Sequence, residues 1–312
     1  MSLPRHVIDR IGGTQMLALG RIGAGRGGRI LLKLENENPT GSMKDRMALA
    51  MVAAAEADGR LPPGGAVVEY TGGSTGVSLA LVCAVRGHPL HIVTSDAFAR
   101  EKLDHMRILG AALTVVPSED GRMTERLTRD MIDAAARIAA ATGGYWTDQL
   151  NNRDQLGAYH RMADEIRAQA AGRVDAFVQC VGTAASLTGT AEGLRRHDPG
   201  VRIVAVEPAE SAVLSGGASG AHRIDGIGAG FVVPLWRAGV ADAIERVSTA
   251  EARAMTLRLA REEGLFAGTS TGANLVAALR VAAALPPGAT VVTVMCDTGM
   301  KYLRGYAGEL AA

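Results

Sequence analysis

One lysine stands where a helix is expected to begin, a position that suits covalent chemistry. Lys44 lies in the segment NPTGSMKDR, two residues after Ser42. Ser42 and Asp45 have the pattern of a capping box and predict a helix over residues 42–58. The positive end of a helix dipole disfavours an ammonium group, so we expect a lowered pKa for Lys44. A neutral amine is what Schiff-base formation requires. A solvated first-turn lysine is the alternative, and the lysine alone does not decide between them.

A second segment has the pattern of an anion-binding turn. Gly182-Thr-Ala-Ala-Ser186 follows a predicted strand and precedes a predicted helix. Backbone N–H groups in such a turn, with the helix dipole and the hydroxyls of Thr183 and Ser186, can hold a phosphate. An ordinary strand-to-helix turn is the alternative. The pattern becomes informative only if another residue calls for a phosphorylated group.

Two other glycine motifs are less specific. Residues 72–76 match G-x-S-x-G between a strand and a helix, as in the nucleophile elbow of a serine hydrolase with Ser74 as nucleophile. Asp198 and His222 follow in a permitted order, so this class stays an alternative. The same pattern recurs at residues 268–272, which lowers its specificity. Residues 23–28 match G-x-G-x-x-G, but they precede a strand instead of following one, which favours a flexible turn over a dinucleotide site.

Composition and charge exclude several classes of function. The 312 residues include 33 Lys and Arg and 32 Asp and Glu, so the net charge is only +1. Such a chain has no strong field for binding nucleic acid or an anionic membrane, and 4% aromatic residues argue against stacking platforms for single strands. Residues 77–85, the longest apolar run, are too few to span a bilayer. Three separated cysteines fit neither a disulfide framework nor a metal site, and no signal peptide is visible, so we expect a cytoplasmic protein without a metal.

Short apolar strands alternate with Ala- and Leu-rich helices along the chain, in two series that meet near residues 146–152. This alternation predicts two α/β domains with parallel sheets covered on both faces. Ligands in such folds bind at the carboxyl ends of strands. The predicted strands are 29–35, 66–70, 91–94, 113–116, 176–180, 202–206 and 290–295. The predicted helices are 42–58, 76–86, 100–109, 123–141, 155–170, 187–195, 250–263 (with a Ser248–Glu251 capping box) and 272–284.

Taken together, the motifs resemble a known family. The segment around Lys44 resembles the Schiff-base lysine motif of fold-type II pyridoxal-phosphate enzymes, closest to cysteine synthase (O-acetylserine sulfhydrylase) and cystathionine β-synthase. The likeness extends in the expected order over nearly the whole chain. Its segments are IGGT (11–14), PTGSMKDR (39–46), TGGSTG (71–76), DQLNN (148–152), GTAAS (182–186), EP (207–208), GIGAGF (226–231), GLFAGTSTG (264–272) and DTG (297–299).

The resemblance implies a fold and an activity. The fold would be tryptophan synthase β-subunit-like, with two open parallel-sheet α/β domains and the site in the cleft between them. Residues 40–148 would form the smaller domain, and residues 1–39 plus 149–312 the larger one. The cofactor would be pyridoxal 5′-phosphate. The reaction would be β-replacement on an activated serine such as O-acetylserine, with sulfide giving cysteine, through a Schiff base on Lys44 and an aminoacrylate.

The resemblance also implies roles for individual residues. Lys44 would hold the cofactor and move the α-proton of the substrate. Ser270 would face the pyridine nitrogen, where a neutral hydroxyl favours β-elimination and replacement over transamination. Gly228 would belong to a mobile loop at the site entrance. The phosphate would be held by Gly182, Thr183, Ala184, Ala185 and Ser186, and the substrate carboxylate by Thr71, Gly72, Gly73 and Thr75 with Gln149.

Four positions depart from the family pattern. Gly72 and Ser74 stand where the family loop has Ser and Asn, and that Asn normally hydrogen-bonds the ring oxygen of the cofactor. Ser74 can still donate a hydrogen bond, but its side chain is shorter. Ala184 and Ala185 replace two glycines of the phosphate loop, and an alanine there costs energy if its φ is positive.

Several alternatives stay open at this point. A dehydratase-like enzyme would eliminate without replacement, and a cystathionine β-synthase-like enzyme would use another nucleophile. The change at Ser74 is also compatible with a weakly catalytic homologue that binds pyridoxal phosphate. The resemblance further implies a homodimer and names the C-terminus of a serine acetyltransferase as a candidate partner.

Overall fold

The computed structural model describes residues 3–23, 27–121 and 124–310, and it contains two β-sheets. The strands are β1 (Met16–Ala18), β2 (Arg29–Leu34), β3 (Val67–Tyr70), β4 (Leu90–Ser95), β5 (Ala112–Val116), β6 (Tyr145–Trp146), β7 (Ala176–Cys180), β8 (Arg202–Pro208), β9 (Ala243–Val247) and β10 (Thr290–Met295). The helices are α1 (Lys44–Ala57), α2 (Ser74–Arg86), α3 (Arg100–Ile108), α4 (Glu125–Thr142), α5 (Leu156–Gln169), α6 (Ala185–His197), α7 (Thr249–Glu263), α8 (Thr269–Ala283) and α9 (Leu303–Leu310).

The larger sheet has the strand order β1-β2-β10-β7-β8-β9 and the smaller one β5-β4-β3-β6. Every pair of neighbours is parallel except β1 and β2, which run antiparallel. The prediction of parallel sheets is confirmed, with one short antiparallel strand added at the edge of the larger sheet. The sequence analysis also missed β1, β6 and β9, because two of them are very short and β9 (AIERV) is only partly buried and carries two charges.

Strand bounds follow the apolar runs closely, and 176–180 and 290–295 are as predicted. All residues of β3, β7 and β10 are buried, as expected of parallel strands covered on both faces. In contrast, α2, α6 and α8 each begin two or three residues before the prediction. Their first turns contain Gly, Ser and Thr, which are typical of loops in sequence, and they lie at the cleft described below.

The two predicted capping boxes have different outcomes. Ser248 and Glu251 form theirs at the start of α7, which confirms the prediction. The one predicted at Ser42 and Asp45 is wrong: α1 begins at Lys44, and the Asp45 carboxylate accepts hydrogen bonds from Thr40 and Ser78. Asp45 is fully buried, so tertiary contacts take its carboxylate away from the helix end.

Two further observations bear on the sequence analysis. Residues 24–26 of the G-x-G-x-x-G match, and the start of the predicted helix 123–141, lie outside the described residues. Among the helices that are described, none combines the length and the apolar character needed to cross a membrane.

Candidate active site

A cavity of about 880 Å³ opens between the carboxyl ends of the strands in the two sheets. It is lined by nearly all the candidate site residues, namely Lys44, Thr71, Gly72, Gly73, Ser74, Thr75, Gln149, Gly182, Thr183, Ser186, Gly228 and Ser270. Ala184 and Ala185 do not line it; they are buried at the start of α6. We call this cavity the cleft.

Lys44 is held at the cleft by contacts of the two residues that precede it. The backbone N–H of Met43 donates to the carbonyl of Cys296 at 2.9 Å, and Ser42 forms a bridge with Asp297. Burial lowers the pKa of Lys44, while Cys296 and Asp297 act in the opposite direction. The sequence predicted the lowered pKa from the helix dipole, but burial is the larger cause.

A buried cluster of charged side chains anchors α1 two residues beyond Lys44. Arg46 donates to Glu35 from Nε at 2.7 Å and from Nη2 at 2.8 Å, and to Glu165 on α5 from Nη1 at 2.8 Å and Nη2 at 2.7 Å. Lys33 on β2 also donates to Glu165, at 2.7 Å. These bonds connect α1 to the larger sheet and to α5. The sequence analysis missed the cluster, since its members are up to 132 residues apart.

The loop at residues 71–76 joins β3 to α2 along one wall of the cleft. The Thr71 hydroxyl accepts a hydrogen bond from Gly73 N at 3.1 Å. Gly73 has φ +130°, and a Cβ there would overlap Lys102 Cδ. A Cβ on Gly72 would lie only 2.8 Å from Phe98 Cε1. This close packing against Phe98 and Lys102 explains why the loop carries two consecutive glycines.

Gln149 holds the same loop from behind. Its Nε2 donates to Tyr70 O at 2.7 Å, and its Oε1 accepts from the Thr75 hydroxyl at 2.9 Å. Beneath them lies Glu69, which accepts a hydrogen bond from Gln149 N at 2.9 Å. Burial raises the pKa of Glu69 to about 8, despite hydrogen bonds from Thr147, Gln149 and Tyr70 that lower it. No sequence pattern pointed to this buried acid, which lies within the apolar strand β3.

On the opposite wall, the turn at residues 182–186 leads from β7 into α6. No side chain caps the first turn of α6, so its N–H groups are left for another partner. The Ser186 hydroxyl accepts from Gln179 Nε2 at 2.9 Å. Gly182 packs so tightly on the carbonyl of Gly226 that a Cβ would overlap it. Ala184 takes the left-handed conformation with φ +68°, a strained geometry for a residue other than glycine.

The floor of the cleft carries Ser270 and two thiols. Cys180 is the last residue of β7 and Cys296 directly follows β10, and Cys180 Sγ donates to Ser270 O at 3.4 Å. Burial raises the pKa of the Cys296 thiol to about 11 and that of Cys180 well above its usual range. Both therefore stay protonated near neutral pH.

A chain of hydrogen bonds crosses the cleft between the sheets. Ser74 Oγ donates to Asp297 Oδ2 at 3.0 Å, and the Tyr302 hydroxyl donates to the same oxygen at 2.7 Å. Lys102 Nζ donates to the Tyr302 hydroxyl at 3.0 Å. The sequence analysis assigned no role to Asp297, Tyr302 or Lys102. The sequence could have pointed to Asp297, because it lies two residues after the predicted strand 290–295, at the edge of the sheet where ligands bind.

Comparisons with known proteins decide the family. The family described as pyridoxal-phosphate dependent enzyme matches residues 7–297. The chain belongs to this family. A cysteine synthase of Staphylococcus aureus (strain Mu50 / ATCC 700699) is 36% identical over 300 residues, 96% of this chain and 95% of the relative. The crystal structure of an O-ureido-L-serine synthase has a TM-score of 0.91 at 35% identity, covering 97% of this chain and 94% of that one. The crystal structure of an O-acetylserine-dependent cystathionine β-synthase from Helicobacter pylori has a TM-score of 0.90 at 32% identity. The match covers 97% of this chain and 98% of that one.

The pyridoxal-phosphate dependent enzyme family establishes the predicted fold class, fold type II, and the cofactor, pyridoxal 5′-phosphate. The residues of the cleft fit this cofactor. The uncapped N-terminus of α6, with the lining hydroxyls of Thr183 and Ser186, suits a phosphate dianion. Lys44, whose pKa is lowered, lies in the same cleft and can form a bond to an aldehyde.

Among the residues that the structure describes, Ser74, Asp198 and His222 are not arranged as in a serine hydrolase. His222 lines the cleft, but its Nε2 contacts Gly228 O at 3.0 Å and its Nδ1 accepts from Ile224 N at 3.3 Å. Ser74 donates to Asp297 instead of to a histidine. Asp198 ends α6 and does not line the cleft.

Proposed function

We propose that this enzyme replaces the β-substituent of an activated serine, such as O-acetylserine, with sulfide to form cysteine. The observation that carries the proposal is the position of Lys44, in one cleft with the 71–76 loop on one wall and the 182–186 turn on the other. The likeness to a cysteine synthase over 96% of the chain supports the same substrate class.

Each side chain then has a defined task. The cofactor supplies an electron sink for the α-carbon of the substrate. Lys44 Nζ binds the cofactor aldehyde and later takes the α-proton and returns it. Backbone N–H groups of the 71–76 loop, at the start of α2, bind the substrate carboxylate. Ser270 lines the cleft and would offer a neutral hydroxyl to the ring nitrogen, which would favour chemistry at the β-carbon.

The organisation of the protein around this site also remains our proposal. The smaller domain comprises residues 40–148, which include the whole four-stranded sheet, and residues 1–39 plus 149–312 form the larger one. A homodimer, binding of a serine acetyltransferase C-terminus and a cytoplasmic location stay predictions from the family resemblance.

A larger nucleophile than sulfide is the second candidate. Proteins with the names O-ureido-L-serine synthase and O-acetylserine-dependent cystathionine β-synthase have the same fold. β-Elimination without replacement is the third outcome, and it would yield pyruvate from O-acetylserine.

The first test is covalent labelling of the lysine. The purified protein, loaded with pyridoxal phosphate, is reduced with borohydride and its peptides are analysed by mass spectrometry. We expect a pyridoxyl adduct on Lys44 and none on Lys102 or Lys301, two other lysines that are buried. The variant K44A is expected to give no adduct and no turnover. Normal turnover by K44A would overturn the proposal.

The second test identifies the reaction. O-acetylserine is supplied with sulfide, with homocysteine or with no nucleophile, and cysteine, cystathionine and pyruvate are measured. Cysteine as the main product with sulfide supports the proposal. Pyruvate at the same rate with and without nucleophile would show an eliminating enzyme, and cystathionine as the preferred product would show the larger nucleophile.

A further inference from the structure

The hydrogen bond from Ser74 to Asp297 determines what Ser74 can offer to a bound molecule. A serine hydroxyl has one proton and two lone pairs. Its proton is directed to Asp297 Oδ2 at 3.0 Å, and an ionised carboxylate can only accept. Ser74 lines the cleft and therefore presents lone pairs to it. This differs from the expectation that Ser74 donates to the cofactor.

The carboxylate of Asp297 accepts a second hydrogen bond at the same oxygen. Its residue is only 4% exposed, and its Oδ2 also accepts from the Tyr302 hydroxyl. Tyr302 in turn accepts from Lys102, whose ammonium lies 4.2 Å from the centre of the tyrosine ring and 4.0 Å from Asp225 Oδ1. The Tyr302 hydroxyl therefore accepts from Lys102 and directs its own proton to Asp297 Oδ2, which leaves the Ser74 bond as a separate contact at that oxygen.

The constitution of pyridoxal phosphate indicates which of its atoms meets Ser74. The aldehyde carbon lies between the ring hydroxyl and the arm that carries the phosphate. If the 182–186 turn held the phosphate and Lys44 the aldehyde carbon, the ring oxygen would lie toward the 71–76 loop, and the family resemblance implies the same contact for the position of Ser74. In that loop the buried hydroxyl of Thr71 accepts from Gly73 N, and the buried hydroxyl of Thr75 donates to Gln149 Oε1. Ser74 is the remaining hydroxyl of the loop.

We propose that Asp297 is a positioning residue that makes Ser74 a hydrogen-bond acceptor toward the ring oxygen of the cofactor, so that this oxygen stays protonated in the resting enzyme. The inference rests on the proposed function, because it requires the cofactor on Lys44. The nitrogen that joins Lys44 to the cofactor is then neutral. It can take a proton from the ammonium group of an incoming amino acid, which leaves that amino group free to attack.

The absorption spectrum of the loaded enzyme tests this directly, without turnover. A protonated ring oxygen gives a near-ultraviolet band, and a proton on the nitrogen gives a visible band. We expect the near-ultraviolet band to dominate in the wild-type enzyme at neutral pH. S74N introduces an amide donor, and D297A releases the Ser74 proton toward the cleft. Each is expected to raise the ratio of visible to near-ultraviolet absorbance about tenfold, the order of one hydrogen bond.

The matched control is Y302F, which removes the other hydrogen bond at Asp297 Oδ2 and leaves that of Ser74 in place. Its ratio is expected to stay near the wild-type value. A dominant visible band in the wild type that neither S74N nor D297A changes would overturn the inference, and so would a Y302F ratio equal to that of D297A. If D297A does not fold, S74N decides. A cofactor that fails to bind overturns the proposed function as well, whereas a bound cofactor with the wrong spectrum overturns only this inference.

Discussion

Arg46 donates two parallel hydrogen bonds to Glu35, and both side chains are almost completely buried. This pair lies two residues beyond Lys44 and fixes the start of α1 against the larger sheet. Breaking a buried ion pair by removing one partner leaves an uncompensated charge, at a cost of about 3–5 kcal/mol. We therefore expect R46M to lose that much free energy of unfolding in urea titrations.

The control for R46M is R60A. Arg60 also forms ion pairs, with Asp58 and Asp154, but its side chain is 44% exposed. Exposed pairs contribute about 1 kcal/mol or less. Equal losses in the two variants would show that the Arg46 cluster does not stabilise the fold.

The same cluster predicts a dependence of stability on acid. Burial opposes ionisation of Glu165, but hydrogen bonds from Arg46 and Lys33 lower its pKa to about 2. A carboxylate with a lowered pKa stabilises the fold above the pKa of the unfolded chain, near 4.5, and loses this contribution as the pH falls toward 2. We expect the difference in unfolding free energy between wild type and E165Q to shrink over this range. A difference that is constant from pH 6 to pH 2.5 would contradict the pKa.

Ala184 offers a test of backbone strain in the 182–186 turn. Its φ of +68° costs about 1–2 kcal/mol for a residue with a Cβ. A184G is expected to raise the unfolding free energy by about 1 kcal/mol. Its neighbour Ala185 is the first residue of α6, where glycine lowers stability by about 0.5–1 kcal/mol. Thermal unfolding measures both variants. A gain of stability in A184G with a loss in A185G would confirm the strain at Ala184, and a loss of stability in both variants would refute it.

Gly73 is expected to tolerate no side chain. G73A places a Cβ against Lys102 Cδ at a φ of +130°, so the 71–76 loop must move. We expect at least a tenfold rise in KM for the amino acid substrate, about 1.4 kcal/mol, because the loop carries the proposed carboxylate site. Gly157 on α5 has open space around its would-be Cβ, and G157A should leave KM unchanged and add up to about 1 kcal/mol of stability. An unchanged KM in G73A would remove the loop from the substrate site.

The lowered pKa of Lys44 predicts how fast the apoenzyme takes up its cofactor. Attack on the aldehyde requires the neutral amine, and burial lowers the pKa of Lys44 from its ordinary value of 10.5. The rate of cofactor loading is therefore expected to level off at a lower pH than the reaction of a blocked free lysine with pyridoxal phosphate. Because Asp297 raises the pKa of Lys44, D297A should move the profile to still lower pH. If cofactor loading had the same pH dependence as the reaction of the blocked free lysine, the amine of Lys44 would be exposed and its pKa ordinary.

Local patterns were sufficient for most of the architecture. The strands 176–180 and 290–295 were predicted to the residue, since continuous apolar runs between turns are typical of buried parallel strands. The first turns of α2, α6 and α8 were missed because serine, threonine and glycine favour loops in isolation. In the folded chain these turns lie along the cleft, and packing and hydrogen bonds from distant segments hold them.

For the candidate site, too, local patterns predicted some features, and others depend on contacts between distant residues. The order of short motifs along the chain was enough to recognise the family and its cofactor, because each motif is a short local pattern, and it made Lys44 a candidate for the Schiff base. The partners of those residues could not be read from the chain. Asp297 and Ser74, which form a hydrogen bond, are 223 residues apart in the sequence. Glu35 and Arg46 meet because α1 packs against the larger sheet. Hydrogen-bond direction depends on which groups meet in space, and that follows from the packing of the two sheets around the cleft.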